Sequence, residues 1–157
     1  MEVVQSLGGM DVKLCGADEK LVGDYCKKYL PDYENIQGHV TQSYLWVLGA
    51  YEVVRTLTQR MSENQCNDPP QVFESFRQVK AKFARVRVPL AKFEPASIHK
   101  KTDSHIAFPW FAFDLGIAWQ ASEGVVVSRR ELSDALLSGL EHALVETLRR
   151  SPANLRF

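Results

Sequence analysis

The sequence has 157 residues, and its 19 basic side chains balance its 19 acidic ones, so the formal net charge is zero. Its hydrophobic and charged fractions, 45% and 24%, are typical of a globular protein. They exclude collagen-like, disulfide-dense and wholly disordered chains, and the neutral total excludes a protein that is basic throughout. A chain of this length predicts a single domain over residues 1–157.

The first residues predict neither a secretory signal nor a membrane anchor. They lack a positively charged region followed by an apolar one. No window approaches the roughly 18 apolar residues that a transmembrane helix needs. The cysteines are odd in number and have no CxxC spacing, which is typical of a reducing compartment: Cys15, Cys26 and Cys66. We therefore expect a cytoplasmic protein that does not enter a membrane.

Two helices are predicted in the first third of the chain. Three glycines indicate that residues 1–16 form a loose lead-in: Gly8, Gly9 and Gly16. A first helix is expected over about 17–30 and ends at Pro31, because proline disfavours helical backbone in the preceding residue. A longer helix over about 33–63 carries a broad apolar arc, which indicates that several neighbours pack against it. We predict that this helix is the centre of the fold.

The third helix has the clearest pattern in the sequence. Its apolar residues alternate steps of four and three, and we call them the third-helix seam: Val72, Phe76, Val79, Phe83, Val86, Leu90 and Phe93. Pro89 predicts a kink or a break near Val88, because an interior proline removes a helix hydrogen bond. The seam is expected to continue to about Pro95. Such a stripe can be buried within one chain or between two, so a homodimer is a further hypothesis.

The region after Pro95 predicts a polar loop, a small β-structure and a last helix. The aromatic segment from Ile106 to Phe113 contains a central proline, which favours an edge strand or an extended segment. It either caps the open end of the helices or exposes a patch for a partner. Two further strands over 117–121 and 125–127 indicate a hairpin.

The last helix has a sharp predicted start. Ser128 and Glu131 have the spacing of a capping box. The tail over 152–157 is expected to fray. Together these elements predict a mainly α fold, a helical bundle of about four helices around the long central helix, with a small β-hairpin before the C-terminal helix.

Basic side chains are concentrated in residues 77–101. This segment contains one acid, Glu94, and eight basic residues, so its net charge is strongly positive although the net charge of the chain is zero. The basic residues are Arg77, Lys80, Lys82, Arg85, Arg87, Lys92, Lys100 and Lys101. At about 100° per residue, five of those on the third helix are predicted on the side away from the seam: Arg77, Lys80, Arg85, Arg87 and Lys92. This face is either simply solvated, or it binds nucleic acid, or it binds an acidic protein. No aromatic residue interleaves with the basic face, which argues against single strands.

No catalytic motif of a known class is present. The cluster His99, Asp103 and His105 has polar groups that could ligate a metal, but its spacing matches no common zinc site and two lysines oppose a cation. His39 with Glu34 is a second candidate pair for acid–base chemistry.

These patterns favour a non-catalytic intracellular interaction or adaptor module. We expect it to bind an acidic partner, protein or nucleic acid, without a metal or another cofactor. The alternative is a nuclease or other hydrolase that uses one of the two histidine sets. The expected binding residues lie on the third helix and the following loop: Arg77, Lys80, Arg85, Arg87, Lys92, His99, Lys100 and Lys101.

Overall fold

The computed structural model of the chain describes residues 2–28, 33–63 and 69–150. These residues form a mainly helical fold with one small antiparallel sheet before the last helix, which confirms the predicted class. The helices are α1 (Glu2–Cys26), α2 (Tyr33–Glu63), α3 (Pro70–Lys92) and α4 (Arg129–Arg150). The strands are β1 (Phe108–Ala112), β2 (Gly116–Ser122) and β3 (Val125–Ser128), and one 3-10 turn covers Ser97–His99.

The prediction of a loose lead-in over residues 1–16 is wrong, because α1 begins at Glu2 and runs without a break to Cys26. Its apolar residues pack on the core at helical spacing, which outweighs the cost of about 1 kcal/mol that each helical glycine carries: Leu7, Met10 and Leu14. Contact with α2 is close at Gly49, where an added Cβ would lie 2.9 Å from Leu7 Cδ2. Residues 29–32 lie outside the described residues, so the predicted end at Pro31 has no structural counterpart here.

Helix α3 buries its apolar side against the rest of the chain. Val72, Phe76, Val79, Phe83 and Val86 are buried in the hydrophobic core, and Leu90 packs against it. The third-helix seam is therefore satisfied within one chain, which removes the basis for a homodimer through it.

The expected break near Val88 does not occur. Pro89 is buried in the last turn of α3, which continues to Lys92. The helix ends where Phe93 adopts a left-handed conformation, and the Phe93 amide donates to the Pro89 carbonyl at 3.2 Å. Because Pro89 lies so close to the helix end, little helix follows it that could be disrupted. Phe93 itself is exposed, unlike the rest of the seam.

The sheet has the order β1-β2-β3, so the predicted hairpin is joined by a third strand made from the aromatic segment. Ile117, Trp119 and Val127 point into the core, since side chains alternate between the two faces of a strand. Phe108 pairs with Gln120 and Trp110 pairs with Ala118, which places both aromatic side chains on the opposite, outer face. A register shift between Gln120 and Ser122 marks an irregularity in β2.

Helix α2 packs most extensively against α3 and then α1, and it also contacts α4, β1 and β2. Its bounds agree with the predicted helix over 33–63. The start of α4 agrees with the predicted cap, because the Ser128 hydroxyl oxygen accepts the Glu131 amide at 3.0 Å. The predicted loop over 64–68 and the tail over 152–157 lie outside the described residues.

Candidate functional site

The basic side chains of α3 are largely matched by carboxylates of the same chain. Arg77 pairs with Glu74 at 3.1 Å, and Lys92 approaches Glu94 at 3.9 Å. Lys82 contacts Glu131 of α4 at 3.3 Å. These pairs are exposed, so each contributes only about 0–1 kcal/mol and leaves its cation accessible to solvent. Because of these pairs, the positive electrostatic potential of this face is nevertheless weaker than the number of its basic residues indicates.

Arg87 is half-buried between α3 and α2. Its guanidinium lies 3.5 Å from Glu52 Oε1 and 5.0 Å from the centre of the Tyr51 ring. A guanidinium over an aromatic face beside a carboxylate stabilises the packing of two helices. Arg87 thus has a structural contact that competes with any role in binding a partner.

Arg85 has the tightest of these contacts, and it holds Asp103 in a bidentate pair. Arg85 Nε donates to Asp103 Oδ2 at 2.7 Å, and Arg85 Nη2 donates to Oδ1 at 2.8 Å. Only 1% of the Asp103 side chain is exposed. The hydrogen bonds from Arg85 lower the pKa of Asp103, and the same contact raises the pKa of Arg85. This pair anchors the polar loop over residues 97–105 to α3.

The second anchor of the loop is the sheet. The Ser104 amide donates to the Ala121 carbonyl at 2.7 Å, next to the position where Phe108 pairs with Gln120. The loop and the start of β1 therefore meet at the same end of β2. Lys100 and Lys101 precede both anchors in the chain, are exposed, and form no ion pair with any of the described residues.

The exposed aromatic residues lie beside this loop. The exposed fractions of Phe108 and Trp110 are 58% and 46%, and both occupy the outer face of the edge strand β1. Phe111 instead packs against the core. The aromatic segment is thus divided between the core and the solvent. We call the exposed set the loop–sheet surface, and it consists of Lys100, Lys101, His105, Phe108 and Trp110.

A separate groove of about 470 Å³ lies between α2 and α3, and it contains two of the expected binding residues, Arg77 and Lys80. Arg55 also lines it, but Glu63 lies in the same wall and Arg55 is paired with Glu52 at 2.7 Å. Lys80 is half-buried there and has no ion pair among residues 2–28, 33–63 and 69–150. The groove is therefore only weakly cationic.

The structure adds little support for catalysis or metal binding by the two histidine sets, which are His99 with Asp103 and His105, and His39 with Glu34. Asp103 is paired with Arg85 and only 1% of its side chain is exposed, so a substrate or a metal ion from solvent does not reach its carboxylate. His99 is half-buried and His105 is exposed. The described part of the chain contains no group of three or more His, Cys, Asp or Glu placed to hold a metal ion. His39 is half-buried on α2, and its buried Nδ1 has no hydrogen-bond partner within the described part of the chain, while Glu34 is exposed.

Sequence reasoning missed a buried polar network between α1 and α4. Arg129 is fully buried; it donates to Asp18 Oδ2 from Nε at 2.9 Å and from Nη2 at 2.7 Å. Its Nη1 donates to Asp11 Oδ1 at 2.8 Å, and its Nη2 contacts the Cys15 sulfur at 3.2 Å. Ser133 donates to the other oxygen of Asp11. The spacing of Asp11 and Asp18, two turns apart on one helix face, was the only signal in the sequence.

Comparison of the chain with protein-family models, curated proteins and solved structures gives no match in any of the three. Among the helices described, none combines the length and the apolar character needed to cross a membrane.

Proposed function

We propose that this chain is a non-catalytic interaction module that binds single-stranded nucleic acid on the loop–sheet surface. The observation that carries this proposal is that two exposed aromatic side chains, Phe108 and Trp110, lie on the strand that directly follows the exposed loop of Lys100 and Lys101, and these lysines form no ion pair with the described residues. The proposal keeps the acidic partner expected from the sequence but moves its main contact from α3 to the loop and the sheet.

The aromatic side chains support nucleic acid over an acidic protein. Bases of any sequence stack on exposed aromatic rings, with about 1–3 kcal/mol for each stacked base. Phe108 and Trp110 are two residues apart on one strand, so both rings lie on the same face of the sheet. The argument from sequence against single strands was the lack of aromatics on the α3 face, and it does not apply to this surface.

The lysines supply the electrostatic part of the interaction. Asp103, the one acid within the loop, is buried and neutralised by Arg85, so Lys100 and Lys101 are the uncompensated charges there. In this proposal Arg85 positions the loop through its pair with Asp103. We place the module inside the cell as part of the proposal, and the free thiols of Cys15 and Cys26 are consistent with that setting.

Fluorescence anisotropy with a labelled oligothymidine tests the proposal. We expect binding at low salt with a slope of log K against log salt of about −1.4, since each of two phosphate contacts on a single strand contributes about −0.7. Joint replacement Phe108→Ala and Trp110→Ala should weaken binding by about 30-fold or more, from about 1 kcal/mol or more for each lost stack. The matched control Leu144→Ala, an exposed apolar residue of α4, should leave affinity unchanged.

The lysines have a matched control on α1. Joint replacement Lys100→Glu and Lys101→Glu should abolish binding, whereas Lys13→Glu with Lys20→Glu, an exposed pair on α1, changes the net charge equally and should reduce affinity far less. Equal losses from both pairs would refute a localised site. Binding of a polyglutamate peptide that needs the lysines but not the aromatic residues would replace nucleic acid with an acidic protein.

A further inference from the structure

A second candidate site is a cleft of about 110 Å³ between α1, α2 and α4, and it shares no lining residue with the loop–sheet surface. Its walls are almost wholly apolar. Trp46 lines it from α2, Leu7 from α1 and Leu140 from α4, while Val4 and Leu137 form an exposed rim. The rim of the cleft is therefore open to solvent, and its walls are apolar.

One end of the cleft is polar and belongs to the buried network. The Asp11 carboxylate and the Ser133 hydroxyl both line the cleft, and Ser133 donates a hydrogen bond to Asp11. The Asp11 side chain is 23% exposed, so it is reachable from the cleft, whereas Arg129 behind it is 0% exposed. A carboxylate oxygen has two lone pairs, so Asp11 retains acceptor capacity after its bonds to Ser133 and Arg129.

The polar end carries an excess of negative charge. Two carboxylates, Asp11 and Asp18, share the single guanidinium of Arg129. Burial opposes the charge of Arg129, but its contacts with Cys15 and Asp18 outweigh burial and raise its pKa. Arg130, the next residue, is matched separately by Glu19. One negative charge at the polar end is thus left without a partner in this network, which favours a cationic ligand.

We propose that this cleft binds a small primary alkylammonium ion. The ammonium group donates to Asp11 and to the hydroxyl oxygen of Ser133, and the alkyl chain lies along Leu7, Trp46 and Leu140. A dry cavity of about 150 Å³ accommodates benzene, so a cleft somewhat smaller than that fits a chain of about four carbons. An alcohol of the same length lacks the charge, and a carboxylate of the same length is repelled by Asp11.

Titration of the isotope-labelled full chain with n-butylammonium, followed by amide chemical shifts, tests this site. We expect saturable shifts at the amides of Gly8, Leu137 and Leu140, with 1-butanol at least tenfold weaker and butyrate without effect. Equal binding of butyrate and butylammonium would overturn the proposal, as would saturable shifts confined to residues outside the cleft.

Two adjacent glycines of α1 provide a matched pair of variants. Gly8 lines the cleft and Gly9 does not, and at either position an added Cβ meets no atom of the described residues within 4 Å. Gly8→Leu should fill the cleft mouth and abolish butylammonium binding, while Gly9→Leu should bind as the parent chain does. Equal behaviour of the two variants would contradict the site.

The charge is tested by Asp11→Asn against Asp134→Asn, an exposed acid of α4 next to Ser133 but outside the cleft. Only Asp11→Asn should weaken butylammonium binding, by tenfold or more. Unchanged binding in a folded Asp11→Asn chain would refute the assignment of the ammonium to this carboxylate. If that variant fails to fold, the glycine pair still decides between the two outcomes.

Discussion

Asp103 fastens the loop of the proposed nucleic-acid site to α3, and it does so through the charge on its carboxyl group. Its side chain is almost completely buried, and both of its oxygens accept hydrogen bonds from Arg85. A buried carboxylate with a bidentate arginine partner stabilises the folded state only while it is ionised. The loop carrying Lys100 and Lys101 is therefore coupled to the protonation of one residue.

This coupling predicts a pH-dependent contribution to stability. Arg85 lowers the pKa of Asp103 in the folded state, so the carboxylate stabilises the fold above its unfolded pKa of about 3.9. That contribution is lost as the pH falls through the lowered folded pKa. Asp103→Asn should cost about 1.5–3 kcal/mol in the free energy of unfolding at neutral pH, and the difference from the parent chain should shrink progressively below about pH 4.

Urea unfolding across this pH range measures the effect. Glu123→Gln is the matched control, because Glu123 is exposed in the turn between β2 and β3 and has no ion pair with the residues described by the structure. It should show no such trend. A destabilisation by Asp103→Asn that is equal at neutral and strongly acidic pH would contradict the account of this pair.

Some features of the candidate sites could be predicted from the sequence, and others depend on contacts that only the folded chain forms. The polar loop and its lysines could be recognised, since charge and composition are local properties. The partners of Arg85 and Arg129 could not, because Asp103 and Asp18 reach them only through tertiary packing. Arg129 in particular occupies a capping sequence that predicts a solvated first turn, yet it is fully buried.

Helix α1 shows how packing overrides local propensity. Glycines weaken a helix in isolation, and three of the four in α1, Gly8, Gly9 and Gly16, are the reason that residues 1–16 were expected to be irregular. The apolar side chains Leu7 and Leu14 are spaced to face α2 and the core, and full burial of a side chain such as Leu14 contributes about 1.5–3 kcal/mol. The conflict is weaker in α2, which has two glycines in 31 residues, and in α3, where Pro89 lies near the helix end, so the periodicity of both could be predicted.

The two kinds of glycine in the molecule predict opposite effects of one substitution. Gly16 is helical and exposed, and an added Cβ meets no atom within 4 Å in the part of the chain that the structure describes, so Gly16→Ala should stabilise the fold by about 0.5–1 kcal/mol. Gly116 has φ +77°, and an added Cβ would lie 2.6 Å from Asp18 Cβ. Gly116→Ala should therefore destabilise, because it strains the backbone and displaces a member of the buried network.

Thermal or urea unfolding of both variants measures these effects. The difference in sign is the test, because the chemical change is the same at both positions. Stabilisation by Gly116→Ala, or a loss of stability from Gly16→Ala, would show that the account of α1 or of its contact with β2 is wrong.

Across the whole molecule, the neutral total charge is organised by internal pairing. The eight basic side chains of residues 77–101 were expected to project as one cationic face, but five of them have a carboxylate of the same chain within 4 Å: Arg77, Lys82, Arg85, Arg87 and Lys92. A count of charges along the sequence cannot reveal this, because Glu52, Asp103 and Glu131 come from other elements. The mainly α class and the position of the sheet were predictable from periodicity and turn residues, whereas the location of unpaired charge was not.

The tryptophans offer the most direct test of the proposed nucleic-acid surface. Trp46 and Trp119 are 1% and 0% exposed, whereas Trp110 is 46% exposed, so a change in emission on stacking of a base reports on Trp110. Titration with oligothymidine at low salt should quench the tryptophan emission in a saturable manner, and Trp110→Ala should abolish that quenching. Saturable binding by anisotropy without any change in emission, or no binding at all at low salt, would contradict the assignment of this surface.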